Sequence, residues 1–172
     1  MEAQEIDLPP CPQQAQPGAE HHWLEKLVGT WSCSSCMAAS ADAAPEELTG
    51  TETVRRLGGY WIVSEATSDM PGGGKGQMVT TIGYDVEKKT YVGTWVGSMV
   101  NWLCHYHEGE VDASGTRLSL YATGPNMSGG GGTCNYRDVI EFISDDERTL
   151  TGQVQDEHGN WQEMMKIHYR RR

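Results

Sequence analysis

Two short stretches carry residue types that could bind a metal or cycle between thiol and disulfide: Cys33-Ser34-Ser35-Cys36 and His105-Tyr106-His107. A redox Cys-x-x-Cys pair needs its first cysteine at a helix N-terminus, where the dipole stabilises the thiolate. This pair instead falls in a run with strand character, and a period of two sends positions i and i+3 to opposite faces. The two histidines, at i and i+2 of a strand, share a face and have the spacing to grip one zinc or iron. A third ligand has to come from a neighbouring strand, yet the flanking runs 90–98 and 116–122 hold no His, Cys, Asp or Glu. If Trp102, Cys104 and Tyr106 point inward, His105 and His107 point to solvent. No metal is assigned, and His105 and His107 stay as minor zinc candidates.

Gly72-Gly73-Gly74-Lys75-Gly76 has the glycines of a phosphate loop. No Ser or Thr follows the lysine and no helix receives the phosphate, so it reads as a flexible hairpin loop. There is no Ser-His-Asp set and no nucleophile elbow, so catalytic residues are left unassigned. Most carboxylates fall in turns, where solvation accounts for them. Glu65, Arg137 and Glu141 are mid-strand exceptions, and a charge facing a protein interior needs a partner or a ligand. Arg137 with Tyr169 could hold a carboxylate; equally, Arg137 could face water and pair with Glu141. An enzyme reading would place Glu65 or Glu141 beside Arg137 as an acid or base of shifted pKa.

The elements that must position these residues are short strands. Residues 1–17 hold four prolines and four glutamines and are expected to form a flexible tail, followed by one domain over 18–172. Apolar residues at 23, 24, 27 and 28 make one face of a short helix over 19–28, which Gly29 ends. From Thr30 on, runs rich in Val, Thr, Trp and Tyr alternate with turn clusters. The strands fall at 29–38, 48–57, 60–67, 76–84, 90–98, 101–110, 116–122, 134–143, 149–156 and 161–170. An open sheet of that width would expose long edges, and closure removes them. The expected fold is all-β: a closed antiparallel up-and-down barrel of about ten strands, capped at one end by the helix.

At 172 residues the chain is long enough to bury a sizeable core. Six Trp and seven Tyr against one Phe suit half-buried barrel walls. Thirteen basic and 24 acidic residues give a net charge of −11, which argues against nucleic-acid and membrane-surface roles. Arg170 to Arg172 are the local exception and read as a solvated chain end. No run approaches the length of a spanning helix, and the start MEAQEIDLPP lacks a signal-peptide apolar region. Five cysteines without an export signal are expected to be reduced thiols in the cytoplasm.

Leu27-Val28-Gly29-Thr30-Trp31 after a short helix resembles the opening of the lipocalin and fatty-acid-binding superfamily, where a G-x-W element starts the first strand and its Trp plugs one barrel end. Four more stretches sharpen the likeness: Arg56-Leu57-Gly58-Gly59-Tyr60-Trp61, Ile82-Gly83-Tyr84-Asp85, Tyr91 through Met99, and Ile167-His168-Tyr169-Arg170. Together they resemble the bacterial DUF1579 family, a lipocalin-like (calycin) group, over roughly residues 19–171. Gly97 stands where that resemblance leads one to expect an acidic residue before Ser98-Met99. The resemblance supplies no catalytic residues. A related barrel family, nitrobindin, holds haem through one His inside a ten-stranded barrel, so His168, His21 and His22 are the haem candidates. His168 alternates with Ile167 and Tyr169, which look like the inward pair.

Barrels of this kind either fill with side chains or hold one small ligand. The leading expectation is therefore a protein, more a binder than an enzyme, for a small apolar or amphipathic molecule. The candidate lining is Arg55, Trp61, Tyr84, Trp95, Met99, Trp102, Arg137 and Tyr169. The alternatives are an enzyme using the interior as a reaction chamber, a haem or metal barrel, and a ligand-free module that forms a homodimer.

Overall fold

A computed structural model of the chain describes residues 16–38, 40 and 42–172. The expected N-terminal tail lies almost wholly outside those residues. The first element, α1, spans Ala19–Leu24 and runs into a single 3-10 turn, Glu25–Leu27. Ten strands follow: β1 (Gly29–Met37), β2 (Glu46–Leu57), β3 (Trp61–Asp69), β4 (Lys75–Asp85), β5 (Thr90–Gly97), β6 (Cys104–Val111), β7 (Arg117–Pro125), β8 (Thr133–Ser144), β9 (Glu147–Gln155) and β10 (Trp161–Arg171). Each pairs antiparallel with its sequence neighbour, and β1 pairs with β10, so the sheet closes into an up-and-down barrel.

Alternation along each strand sorts the side chains. On β7, Leu118, Leu120 and Ala122 are buried and face the lumen; on β10, Ile167 and Tyr169 do so. Trp31 on β1 is fully buried and, with Leu24, Leu27, Val54, Ile62, Ile82 and Tyr91, fills the end where α1 sits. The helix is pinned there through its polar groups. The Trp23 indole N–H donates to the Gly115 carbonyl at 2.8 Å, the Tyr91 hydroxyl to the Glu20 carbonyl at 3.0 Å, and the Trp31 indole N–H to the Leu27 carbonyl at 2.9 Å.

The three terminal arginines do more than the expected solvated end. Arg171 faces the plug, its guanidinium 4.2 Å from the centre of the Trp31 ring, and donates to the carbonyls of Val28 and Lys26. It thus ties the last strand to the orphan carbonyls behind the helix. Arg170 pairs outside with Glu147 at 2.7 Å.

Val28-Gly29-Thr30-Trp31 and Val92-Gly93-Thr94-Trp95 look alike, yet their glycines answer different needs. Gly29 adopts φ 137°, a conformation open chiefly to glycine. Gly93 instead permits a close approach of backbones: a Cβ there would lie 2.0 Å from the Thr81 carbonyl oxygen. Gly93→Ala is expected to push β4 and β5 apart and to destabilise the barrel by about 1–3 kcal/mol. A thermal melt checks this, and an unchanged midpoint would show that the strands yield freely.

Candidate functional site

Three acidic or basic side chains that the chain turns inward define the polar chemistry of the lumen: Glu52 on β2, Asp138 on β8 and Arg148 on β9. Each shares its strand face with apolar residues that mark the interior. Glu52 alternates with Leu48 and Val54, Asp138 with Tyr136 and Ile140, and Arg148 with Leu150.

Arg148 and Glu52 form an ion pair across the plugged end, 3% and 12% exposed. Ser64 on β3 donates to the other Glu52 oxygen at 2.5 Å. The Arg148 guanidinium lies 3.8 Å from the centre of the Tyr169 ring and 4.7 Å from that of Trp31. Among the described residues its Nε has no hydrogen-bond partner, and the electron-rich ring faces supply what an acceptor would. Burial pushes the Tyr169 hydroxyl well above its usual range, with the Glu52 charge adding to the effect. This cluster is sealed and charge-neutral, and it serves as the polar floor of the barrel.

Asp138 lies further along the lumen. Tyr106 on β6 reaches over Ala122 of β7, a residue small enough to leave the path clear, and donates to Asp138 Oδ2 at 2.5 Å. The Cys104 thiol is within hydrogen-bond reach of Tyr106, and burial pushes that thiol up to about 12. Burial also raises the Asp138 carboxyl above the ordinary 3.8, although the bond from Tyr106 acts in the opposite direction. Asp138 is ringed by protein and still keeps accessible surface, as do the inward-facing Met78, Trp95, Val154 and Met165. The lumen is therefore packed shut at the helix end and lined with accessible groups toward the other.

A raised carboxyl pKa in the folded state means that the native chain holds a proton the unfolded chain has lost. The associated stability is complete below 3.8 and drains away as pH rises from there through the folded-state value. Asp138→Asn mimics the protonated form and removes that loss. The stability of the variant relative to the parent is expected to rise between pH ~4 and ~7, as read from urea melts at both pH values. A difference that does not change with pH would show that Asp138 ionises normally.

The sequence-derived lining does not come together in one place. Tyr84, Trp95 and Tyr169 point inward. Tyr84 packs edge-on against His21 and Tyr91 at the helix end, and Trp95 stands where β5 meets Cys104 of β6. Trp102, in the β5–β6 connection, folds over Gly124 and Tyr136 at the opposite end. Arg55, Trp61 and Arg137 stand on the outer face instead, because Val54, Ile62 and Tyr136 beside them claim the lumen. Trp61 lies across Gly83, and Arg137 donates to Gln153 and stacks on Trp161 at 4.6 Å. Met99 sits exposed at the rim, against Gly76 and Gly97. That contact accounts for Gly97: a Cβ there would lie 2.4 Å from the Met99 sulfur and 2.9 Å from the Trp95 ring, which leaves no room for an acidic side chain.

The remaining sequence candidates face outward or are engaged elsewhere. Glu141 pairs with Arg117 at 2.9 Å rather than with Arg137, and Glu65 is exposed, so no acid–base set forms around Arg137. His105, His107 and His168 are exposed on the outer wall. Buried His21 accepts from the Gly18 backbone N–H and is wedged against Tyr60 and Tyr84, while His22 is exposed beside Glu25. Cys33 is buried and Cys36 exposed, the opposite orientations that strand parity dictates. Among the described residues no three His, Cys, Asp or Glu side chains are placed to hold a metal ion.

A concavity of about 670 Å³ lies on the outer wall across β10, β1 and β2. It is carpeted by Ser32, Ser34, Thr49 and Thr51 and flanked by Lys75, His168, Arg170 and Arg172. Lys75 and Arg170 are already neutralised by Asp69 and Glu147. The groove follows the polar, solvent-facing side of a coiled sheet, and its lining also takes in Cys33, Arg148 and Tyr169, so it abuts the Glu52–Arg148 cluster across the wall.

The family model DUF1579, described as a protein of unknown function, matches residues 16–171. The chain belongs to that family. Among curated proteins, no sequence matches this DUF1579 chain. Solved structures share its fold at low identity. Rv2717c from M. tuberculosis aligns with a TM-score of 0.58 and 11% identity over 90% of this chain and 98% of its own. The S-type phycobiliprotein lyase CPES from Guillardia theta aligns at 0.55 and 14% identity, over 88% and 91%. Both likenesses are of architecture. No described helix of the DUF1579 protein is long and apolar enough to cross a membrane.

Sequence reasoning missed Glu52, Asp138 and Arg148, although alternation carried a signal for all three. Each stands two residues from an apolar group of the same face. Arg148 escaped because the ninth strand begins at Glu147, two residues earlier than the sequence indicates. Asp138 was masked by its neighbours Arg137 and Glu141, which drew attention to the opposite face.

Proposed function

We propose that this DUF1579 protein binds one small amphipathic molecule within the half of the lumen remote from α1. The apolar body of the ligand lies along Met78, Trp95, Val154 and Met165, and its polar group meets the Asp138–Tyr106 pair. The observation that carries this reading is the asymmetry of the lumen. One end is plugged by fully buried side chains, while the other presents an enclosed carboxyl and apolar groups that retain accessible surface. A barrel built only to be packed gains nothing from a carboxyl with one oxygen unpartnered, since burying it costs free energy. Trp102, folded over the remote end, is positioned to cover a ligand there. The four described cysteines are unpaired, which supports the cytoplasm as the site of action.

Native mass spectrometry of the protein purified from its own host tests the reading. The expected spectrum shows one adduct of small-molecule mass that is lost on denaturation. A bare chain that also fails to take up apolar fluorescent probes would overturn it, and a Soret band would replace it with haem.

A further inference from the structure

We infer that the ligand's polar group is an uncharged hydrogen-bond acceptor, the carbonyl of a ketone, ester or amide, held by Asp138 Oδ1. This rests on the reading that the lumen holds a ligand, and it specifies the chemistry of that ligand.

The two carboxyl oxygens of Asp138 differ. Oδ2 accepts from the Tyr106 hydroxyl at 2.5 Å, whereas Oδ1 has no hydrogen-bond partner among the described residues. Oδ1 lies over Gly152, 3.4 Å from where a Cβ on that glycine would stand, beside the Met165 side chain. The absence of a side chain at 152 makes room for the flexible Met165 side chain, whose atoms come within 3.0 Å of where that Cβ would stand, so the wall beside Oδ1 is a movable thioether. Around the carboxyl stand a tyrosine, a thiol and apolar groups, and among the described residues no cation is in contact to hold it as an anion. Desolvation without a counter-charge therefore favours the protonated carboxyl, the direction in which burial shifts this group. With Oδ2 already accepting, the proton belongs on Oδ1, which turns that oxygen into a donor aimed into the lumen.

A lone buried donor selects its ligand. A carbonyl oxygen accepts from it without bringing a charge into the barrel. A carboxylate would need a cation, and the buried guanidinium of Arg148 is already matched by Glu52. An ammonium has three donors to satisfy, and the wall offers it a single free carboxyl oxygen. The fatty-acid chemistry of an arginine–tyrosine pair is thereby closed off here: Arg137 faces outward, and Tyr169 is covered by a guanidinium that is already neutralised.

The test uses three probes of equal carbon number, methyl nonyl ketone, undecanoic acid and undecylamine. Each is titrated into the full-length protein with tryptophan fluorescence as the readout, since Trp95 and Trp102 flank the accessible half. The ketone is expected to bind about tenfold more tightly than either charged probe, the ratio that one satisfied donor against a desolvated charge implies. Asp138→Asn retains a donor and should keep ketone binding. The double variant Asp138→Leu with Tyr106→Phe, which leaves no orphaned hydroxyl, should weaken it about tenfold. Circular dichroism confirms that both variants are folded. Tighter binding of the acid or the amine overturns the inference while leaving a lumenal site in place, as does ketone binding unchanged in the double variant. If none of the three probes binds, the lumenal reading falls together with it.

Discussion

Arg148→Met is expected to lower the unfolding free energy by about 3–5 kcal/mol, because it leaves the Glu52 carboxylate buried without a counter-charge. The geometry behind this is specific. Glu52 is 12% exposed, its second oxygen is held by Ser64, and no other cation among the described residues pairs with it. The methionine also gives up the guanidinium's contacts with Tyr169 and Trp31, though its own side chain fills much of the volume. Urea denaturation gives the number directly. The companion experiment is the double variant Glu52→Leu with Arg148→Met, which removes both charges at once. It should recover most of the loss, since the desolvation cost of both ions disappears with them. If the single variant loses less than about 1 kcal/mol, the pair behaves as an exposed one and the polar floor is wetter than its burial implies.

Trp31→Ala is the second large effect, expected at about 3–5 kcal/mol. Trp31 is fully buried, so the substitution loses the apolar area of an indole and leaves a cavity between α1 and the lumen. Its neighbours are held from several directions and cannot easily collapse into that space. Arg148 and Arg171 lie over its ring, Arg171 is fixed by carbonyls of residues 26 and 28, and the indole N–H donates to Leu27. The loss should therefore extend beyond the core to the helix. Amide exchange over residues 19–27 is expected to accelerate far more than exchange in β7 or β8. Equal acceleration everywhere would mean that the barrel and its plug unfold as one unit and that Trp31 has no special hold on α1. Trp31→Phe should cost less, because a benzene ring retains most of the packing and forfeits mainly the bond to Leu27.

The strand list, the helix and closure of the sheet were all legible in the amino-acid sequence. Their signals are local: alternation of apolar and polar residues, turn clusters such as Gly58-Gly59 and Asp112-Ala113-Ser114-Gly115, and an apolar stripe ended by Gly29. Each depends on residues only a few positions apart, and chain order alone then sets neighbours in a meander. Strand parity also settled the orientation of Cys33 and Cys36, because a strand's period is fixed once the strand is placed.

The lumenal chemistry was decided by tertiary structure. Which face of β8 turns inward depends on register against β7 and β9. A reading error of one residue there exchanges Arg137 for Asp138 and an outward guanidinium for an inward carboxyl. Glu52 and Arg148 stand 96 positions apart and meet only because closure brings β2 and β9 to opposite sides of the same plug. Arg137 faces outward, as one of its two alternative readings had it, but it does not pair with Glu141, because cross-strand Arg117 stands directly opposite Glu141. Local sequence could thus say that this chain builds a barrel with a sealed end. The meeting of Tyr106 with Asp138, 32 positions apart and across an intervening strand, is set by the packing of the closed wall, because the energies that choose it act through space and not along the chain.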